Sequence, residues 1–106
     1  LLLFLTFLVF ITIYYKYMKF TFKKSTRKGK KYMVRSPKGK LIHFGASDME
    51  QFKDSTGLGL YSHKDHGDKK RRKSYRNRAS GIRNKKGELT YKNPEYANFY
   101  AYNFLW

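Results

Sequence analysis

The chain has no cysteine, so neither a disulfide nor a thiolate-ligated metal braces it. Acid is scarce as well. Seven Asp and Glu stand against 24 Lys and Arg, a formal net charge of +17. Self-repulsion on that scale opposes a compact state, so the charge calls for a partner. Signatures of catalysis are missing too: no P-loop, no Ser/His/Asp order and no paired-carboxylate site stands out. Gly57-x-Gly59 has neither the third glycine nor the phosphate-binding lysine that a nucleotide loop requires.

What the chain has instead is aromatic surface, with 10 Tyr, 9 Phe and 1 Trp in 106 residues. In so small a chain these rings supply the core or dock on partners. The charge is also segregated. Residues 16–40 carry 11 Lys and Arg and no acid, and residues 69–86 carry 10 and no acid. Between them, residues 41–68 hold 2 Lys against 5 acids, and the tail from 87 is nearly neutral.

Ahead of the basic body lies Leu1–Tyr15, a run with no charge at all. As a helix it reaches about 22 Å, short of a hydrocarbon core of ~30 Å. Tyr14, Tyr15, Tyr17, Met18, Phe20 and Phe22 extend the apolar pattern, and a count to Phe22 gives about 33 Å, enough to span. Tyr14, Tyr15, Lys16, Tyr17 and Lys19 then form the membrane boundary, with amphipathic rings and snorkelling amines at headgroup level. A signal peptide fits less well, because the charge follows the apolar run and no A-x-A site appears. A buried core helix is the other alternative. With an anchor, the flanking cations place the basic body on the cytosolic side.

Along the body, Lys23–Lys31 reads as a basic juxtamembrane linker able to grip anionic headgroups. Tyr32–Arg35, the Ser36-Pro37-Lys38-Gly39 turn and Lys40–Phe44 read as a hairpin. Ser47 or Asp48 is placed to cap a short helix over Met49–Asp54. Tyr61–Asp68 gathers His63, His66, Asp65 and Asp68. A metal there needs further ligands, and a helix start is the plainer reading. Asp68–Arg83 reads as a helix with Tyr75, Ala79 and Ile82 as its apolar stripe and eight cations on the remainder. Glu88–Tyr91 reads as a brief strand. Asn93-Pro94-Glu95 opens a final helix, apolar nearly all round and therefore buried or docked. A strand at Phe99–Phe104 is the alternative. The expected fold is α+β: a transmembrane helix over 1–22, a linker over 23–31, and a basic domain over 32–106 with a β-hairpin and two helices.

Several short motifs carry a resemblance. They are Lys40-Leu41-Ile42-His43-Phe44-Gly45-Ala46, His63-Lys64-Asp65, Arg72-Lys73-x-Tyr75-x-x-Arg78, Gly81-Ile82, Lys86-Gly87 and Tyr102-x-Phe104-Leu105-Trp106. Through them the chain resembles a small uncharacterised family of basic proteins encoded by large double-stranded DNA viruses with internal membranes. The resemblance implies a virion setting and assigns no activity. The expectation that follows is a membrane-anchored minor capsid protein, not an enzyme, with no cofactor and no small-molecule substrate. It lies between the inner membrane and the capsid shell, and in a host membrane during assembly. Arg71, Arg72, Arg76, Arg78, Tyr100 and Trp106 are the residues expected to dock on acidic or apolar surfaces of other capsid proteins. Membrane-tethered nucleic-acid binding is the second choice, supported by the two cationic blocks. A metal-dependent nuclease at His63 and His66 is the third.

Overall fold

A computed structural model describes residues 20–106. The expected anchor, and with it Tyr14, Tyr15, Lys16, Tyr17 and Lys19, lies outside the described residues except at its last three positions. Those positions belong to the folded domain. Phe22 opens β1 (Phe22–Lys24), which pairs antiparallel with β2 (Lys30–Arg35), and β2 pairs with β3 (Leu41–Ala46). Strand order follows the sequence. Alternation decides the faces. Phe22, Val34 and Ile42 share one register line and Tyr32 sits opposite Phe44, all five buried.

The segment read as a linker is therefore built into the sheet. Lys23 and Lys24 complete β1, Ser25–Gly29 makes the turn, and Lys30 and Lys31 begin β2. A run of cations looks solvated by composition, but the apolar residues that flank it dictate the pairing. The hairpin is as expected, with Ser36 N–H donating to the Lys40 carbonyl at 2.8 Å and Gly39 exiting the turn at φ +84°.

No helix forms over Met49–Asp54. Gln51 instead makes an isolated parallel bridge to Asp65, and its carbonyl accepts from His66 N–H at 2.9 Å. A single helical turn is costly to nucleate, and here buried polar contacts offer the backbone better partners. Ser62–Lys64 is one short 3-10 turn. Helix α1 (Lys69–Ala79) starts where expected, with the Asp68 carboxylate accepting from the Lys70 and Arg71 amides. It ends before Gly81, so Ile82 and Arg83 fall outside it, and Ile82 is exposed. The strand expected at Glu88–Tyr91 reduces to one Arg83–Leu89 bridge and a 3-10 turn at Thr90–Lys92.

Helix α2 (Ala97–Phe104) begins later than Asn93-Pro94-Glu95 suggests. Asn93 Oδ1 accepts from the Glu95 amide and the Asn93 carbonyl from Tyr96 N–H, so these residues build a turn that delivers the chain to the helix. Phe99, Tyr100 and Leu105 close the core over the sheet. Phe20 packs edge-on against Tyr100 at 5.1 Å and Phe22 against Phe104 at 4.7 Å, the geometry that aromatic quadrupoles favour.

Candidate docking surface

Helix α1 carries seven Lys and Arg in its sequence KKRRKSYRNRA. At about 100° per residue, Arg72, Tyr75, Arg76 and Ala79 fall on one face, and these are its less exposed positions. Lys70, Lys73, Ser74 and Asn77 point away from that face and are exposed, with Lys69, Arg71 and Arg78, exposed as well, on the flanks. Among the described residues one ion pair forms, Arg71 to Glu50 at 3.2 Å. Both of its side chains are about half exposed, so it contributes at most ~1 kcal/mol. The outward lysines stand without a counter-charge in that set.

The inner arginines do a different job. Arg72 lies over the Phe52 ring at 4.2 Å and Arg76 over Tyr102 at 5.0 Å, while Arg78 on the flank covers Tyr75 of the same helix at 5.5 Å. Tyr75 in turn stacks on Trp106 at 4.2 Å, with only 6° between the rings. The ladder pins α1 to α2 and to the loop before it, and cation–π contacts of this kind contribute about 0.5–2 kcal/mol each. Asn98 adds a hydrogen bond to the Ala79 carbonyl at 2.9 Å.

Of the six residues expected to dock, Arg71 and Arg78 are exposed. Arg72 and Arg76 are half-buried against rings, and Trp106 gives one face to Tyr75. Tyr100 requires a correction. It is fully buried, its hydroxyl donating to the Pro94 carbonyl at 2.7 Å, so no partner reaches it. Burial pushes its pKa far up, reinforced by Glu95. The residues undervalued by the sequence reading are Lys69, Lys70 and Lys73. The helical period running through Tyr75 and Ala79 is the signal that places Lys70 and Lys73 outward, with Lys69 exposed at the first turn.

Between α1, the end of β3 and the C-terminus runs a groove of about 690 Å³. Lys70, Arg71 and Arg78 line it together with Met49, Ala101 and Trp106. At its floor a Cβ on Gly45 would lie 2.9 Å from Leu105 Cδ1, so glycine is what lets α2 approach the sheet.

Behind the groove lies a buried polar network. Lys31 Nζ donates to the Met49 carbonyl at 2.7 Å and to Gln51 Oε1. Gln51 Nε2 donates to Asp65 Oδ1 at 2.7 Å, and Asp65 Oδ1 also accepts from the Asp54 amide. Asp54 accepts from the Tyr32 hydroxyl and from Thr56 Oγ1 at 2.6 Å. Burial holds the Lys31 pKa below its ordinary value, with Lys64 nearby adding to the effect. Burial works to raise Asp54, but the hydrogen bonds from Thr56, Tyr32 and Tyr61 together overcome it and the pKa falls. With Lys31 only 1 % exposed, the network staples the 47–66 segment to the sheet and is closed to a substrate.

A second cationic cluster assembles from distant sequence. Glu95 accepts from Ser36 Oγ at 2.6 Å and from the Lys38 amide at 3.1 Å, clamping the β2–β3 turn. Lys38, Arg83, Lys85 and Lys86 then surround a recess of about 700 Å³.

His63 and His66 do not form a ligand pair with Asp65 and Asp68. His63 stacks on Tyr61, His66 Nδ1 accepts from the Asp68 amide, and Asp65 belongs to the network. No group of three or more His, Asp or Glu side chains able to hold a metal occurs among the described residues.

Residues 20–55 match a family of unknown function (DUF5754). The matched stretch starts at Phe20, the first described residue of the fold, and takes in the whole sheet. No curated protein and no solved structure matches the chain.

Proposed function

We propose that the chain is a membrane-tethered structural adaptor, its apolar head held in a bilayer and its basic domain docked on an acidic protein surface. The observation that carries this reading is the exposed side of α1, where Lys70 and Lys73 face outward and Lys69 stands exposed at the first turn, while stacked rings fix the helix beneath them. A helix held in place loses little freedom on docking. With Phe20–Phe22 in the fold, residues 1–19 of the apolar head remain for a bilayer, and as a helix they would reach about 28 Å, close to the hydrocarbon thickness. No helix among the described residues is long and apolar enough to cross a membrane. The resemblance to a family of membrane-containing DNA viruses suggests where such an adaptor works: as a minor capsid protein tying shell to inner membrane. Many copies there would turn weak contacts into firm attachment.

The rival reading is a membrane-tethered nucleic-acid-binding protein, favoured by the same free lysines. Against it, the rings beside α1 are already engaged. Tyr75 and Trp106 cover each other and Tyr102 is capped by Arg76, so they offer no free platform for bases.

The test is a membrane fractionation with a high-salt and nuclease wash followed by alkaline carbonate. Retention through both is expected. Release by salt and nuclease would transfer the lead to nucleic-acid binding. In parallel, Lys69→Glu/Lys70→Glu/Lys73→Glu is expected to lower affinity for an acidic shell protein at least tenfold with insertion unchanged. Equal competition by DNA for that site would count against the protein partner.

A further inference from the structure

The domain has two ends, and the chain enters at one of them. Phe20 lines a groove of about 510 Å³ together with Lys23, Arg35, Pro37 and Leu41, beside the β2–β3 turn. Leu41 is 39 % exposed there. The cations of the Glu95 recess, Lys38, Arg83, Lys85 and Lys86, gather round the same turn. One end thus joins an exposed leucine, a proline turn and six cations drawn from both basic blocks, against two carboxylates, Glu88 and Glu95.

The α1 groove lies elsewhere. It opens on Lys31, Gly45 and Ala46, the opposite end of the β2–β3 pair. From Val34 to Lys31 is three residues along the strand, about 10 Å. Helix α2 gives an independent measure. Phe20 touches Phe99, Tyr100 and Phe104, whereas α1 reaches Asn98 and Tyr102. At about 100° per residue these two sets lie roughly 160° apart, on opposite flanks of a helix about 10 Å across. That separation matches the Debye length of about 10 Å at 0.1 M salt, so charges on the two flanks act on different surroundings.

We propose that the entry end, from Phe20 and Lys23 through the β2–β3 turn to Lys85 and Lys86, is a seat for an anionic lipid surface. Leu41 and Pro37 meet the interface, and the outward lysines of α1 are turned away from it. Chain continuity and charge together point to this occupant. The apolar-rich residues 1–19 directly precede Phe20 in the sequence, so an anchor there puts this end of the domain nearest the headgroups. The cations then complement anionic phosphate. The inference rests on the proposed anchor and adds which face lies on the membrane.

The lack of cysteine makes the test direct, because one introduced thiol takes one label. The full chain carrying Lys38→Cys or Lys70→Cys, each with a nitroxide, is placed in lipid discs of phosphatidylglycerol doped with a nickel-chelating headgroup. Both side chains are exposed and only their backbone amides are used in the fold. Headgroup nickel is expected to enhance relaxation several-fold more at position 38 than at position 70. Equal enhancement, or a larger effect at 70, would overturn the seat. A difference that persists unchanged in neutral phosphatidylcholine discs would overturn headgroup recognition by these cations. Release of the chain by alkaline carbonate would remove the anchor itself, whereas retention with equal relaxation would remove the seat alone.

Discussion

Replacing Gly45 with alanine tests how α2 is fitted to the sheet. Gly45 has φ +78°, where a side chain costs about 1–2 kcal/mol. The new methyl would lie 2.9 Å from Leu105 Cδ1 and 3.2 Å from Lys31 Cδ. Lys31 is tied by its hydrogen bonds and Leu105 is buried, so neither yields without cost; overpacking of this kind adds about 1–3 kcal/mol. The expected loss is about 3 kcal/mol in all, a large share of the ~5–10 kcal/mol that holds a small domain. At ~4–8 °C per kcal/mol, the melting point should fall by about 12–24 °C. Gly39→Ala is the control, because φ is +84° there but nothing lies within 4 Å of where its methyl would stand. It should lose only the backbone share, about 1–2 kcal/mol. Urea unfolding of the full chain in detergent, followed through Trp106 fluorescence, measures both. Equal losses for the two variants would refute the close approach of α2 to the sheet.

The Asp54 network carries a pH signature. Its folded pKa lies below the unfolded value of 3.8, so its stabilisation is present above that value and is lost as pH falls through the folded one. Tyr32→Phe removes one of its donors and should cost about 1.5–3 kcal/mol at neutral pH. In chemical denaturation the cost should shrink once the carboxyl is protonated; a pH-independent cost would contradict the account. Asp68→Ala strips the cap from α1 and should cost about 0.5–2 kcal/mol, read as reduced helicity at 222 nm.

The hairpin and both helices are legible in the sequence because alternation, turn chemistry and the helical period act locally: Pro37 and Gly39 mark the turn, and Asp68 marks a cap. Other features are not legible, each for a long-range reason. Phe20 and Phe22 continue an apolar run by composition, and only pairing of Phe22 with Val34 assigns them to the domain. Lys31 reads as one cation in a solvated stretch, but Gln51, twenty residues on, gives its amine a buried acceptor. Arginine is favoured over lysine for docking by its bidentate chemistry, yet the same planarity lays Arg72 and Arg76 on the domain's own rings. The convergence of Lys38 with Lys85 and Lys86 depends on Glu95, which no local pattern announces.

The place of Phe20 also has a mechanical meaning. A pull that reaches Phe20 falls on a ring packed against Phe99, Tyr100 and Phe104. Next in line is β1, a three-residue edge strand whose first residue, Phe22, is itself part of the core. To peel that strand is to open the aromatic interior. Tension delivered at Phe20 and the cohesion of the aromatic core are therefore linked, because the edge strand that takes the load next carries Phe22 of that core.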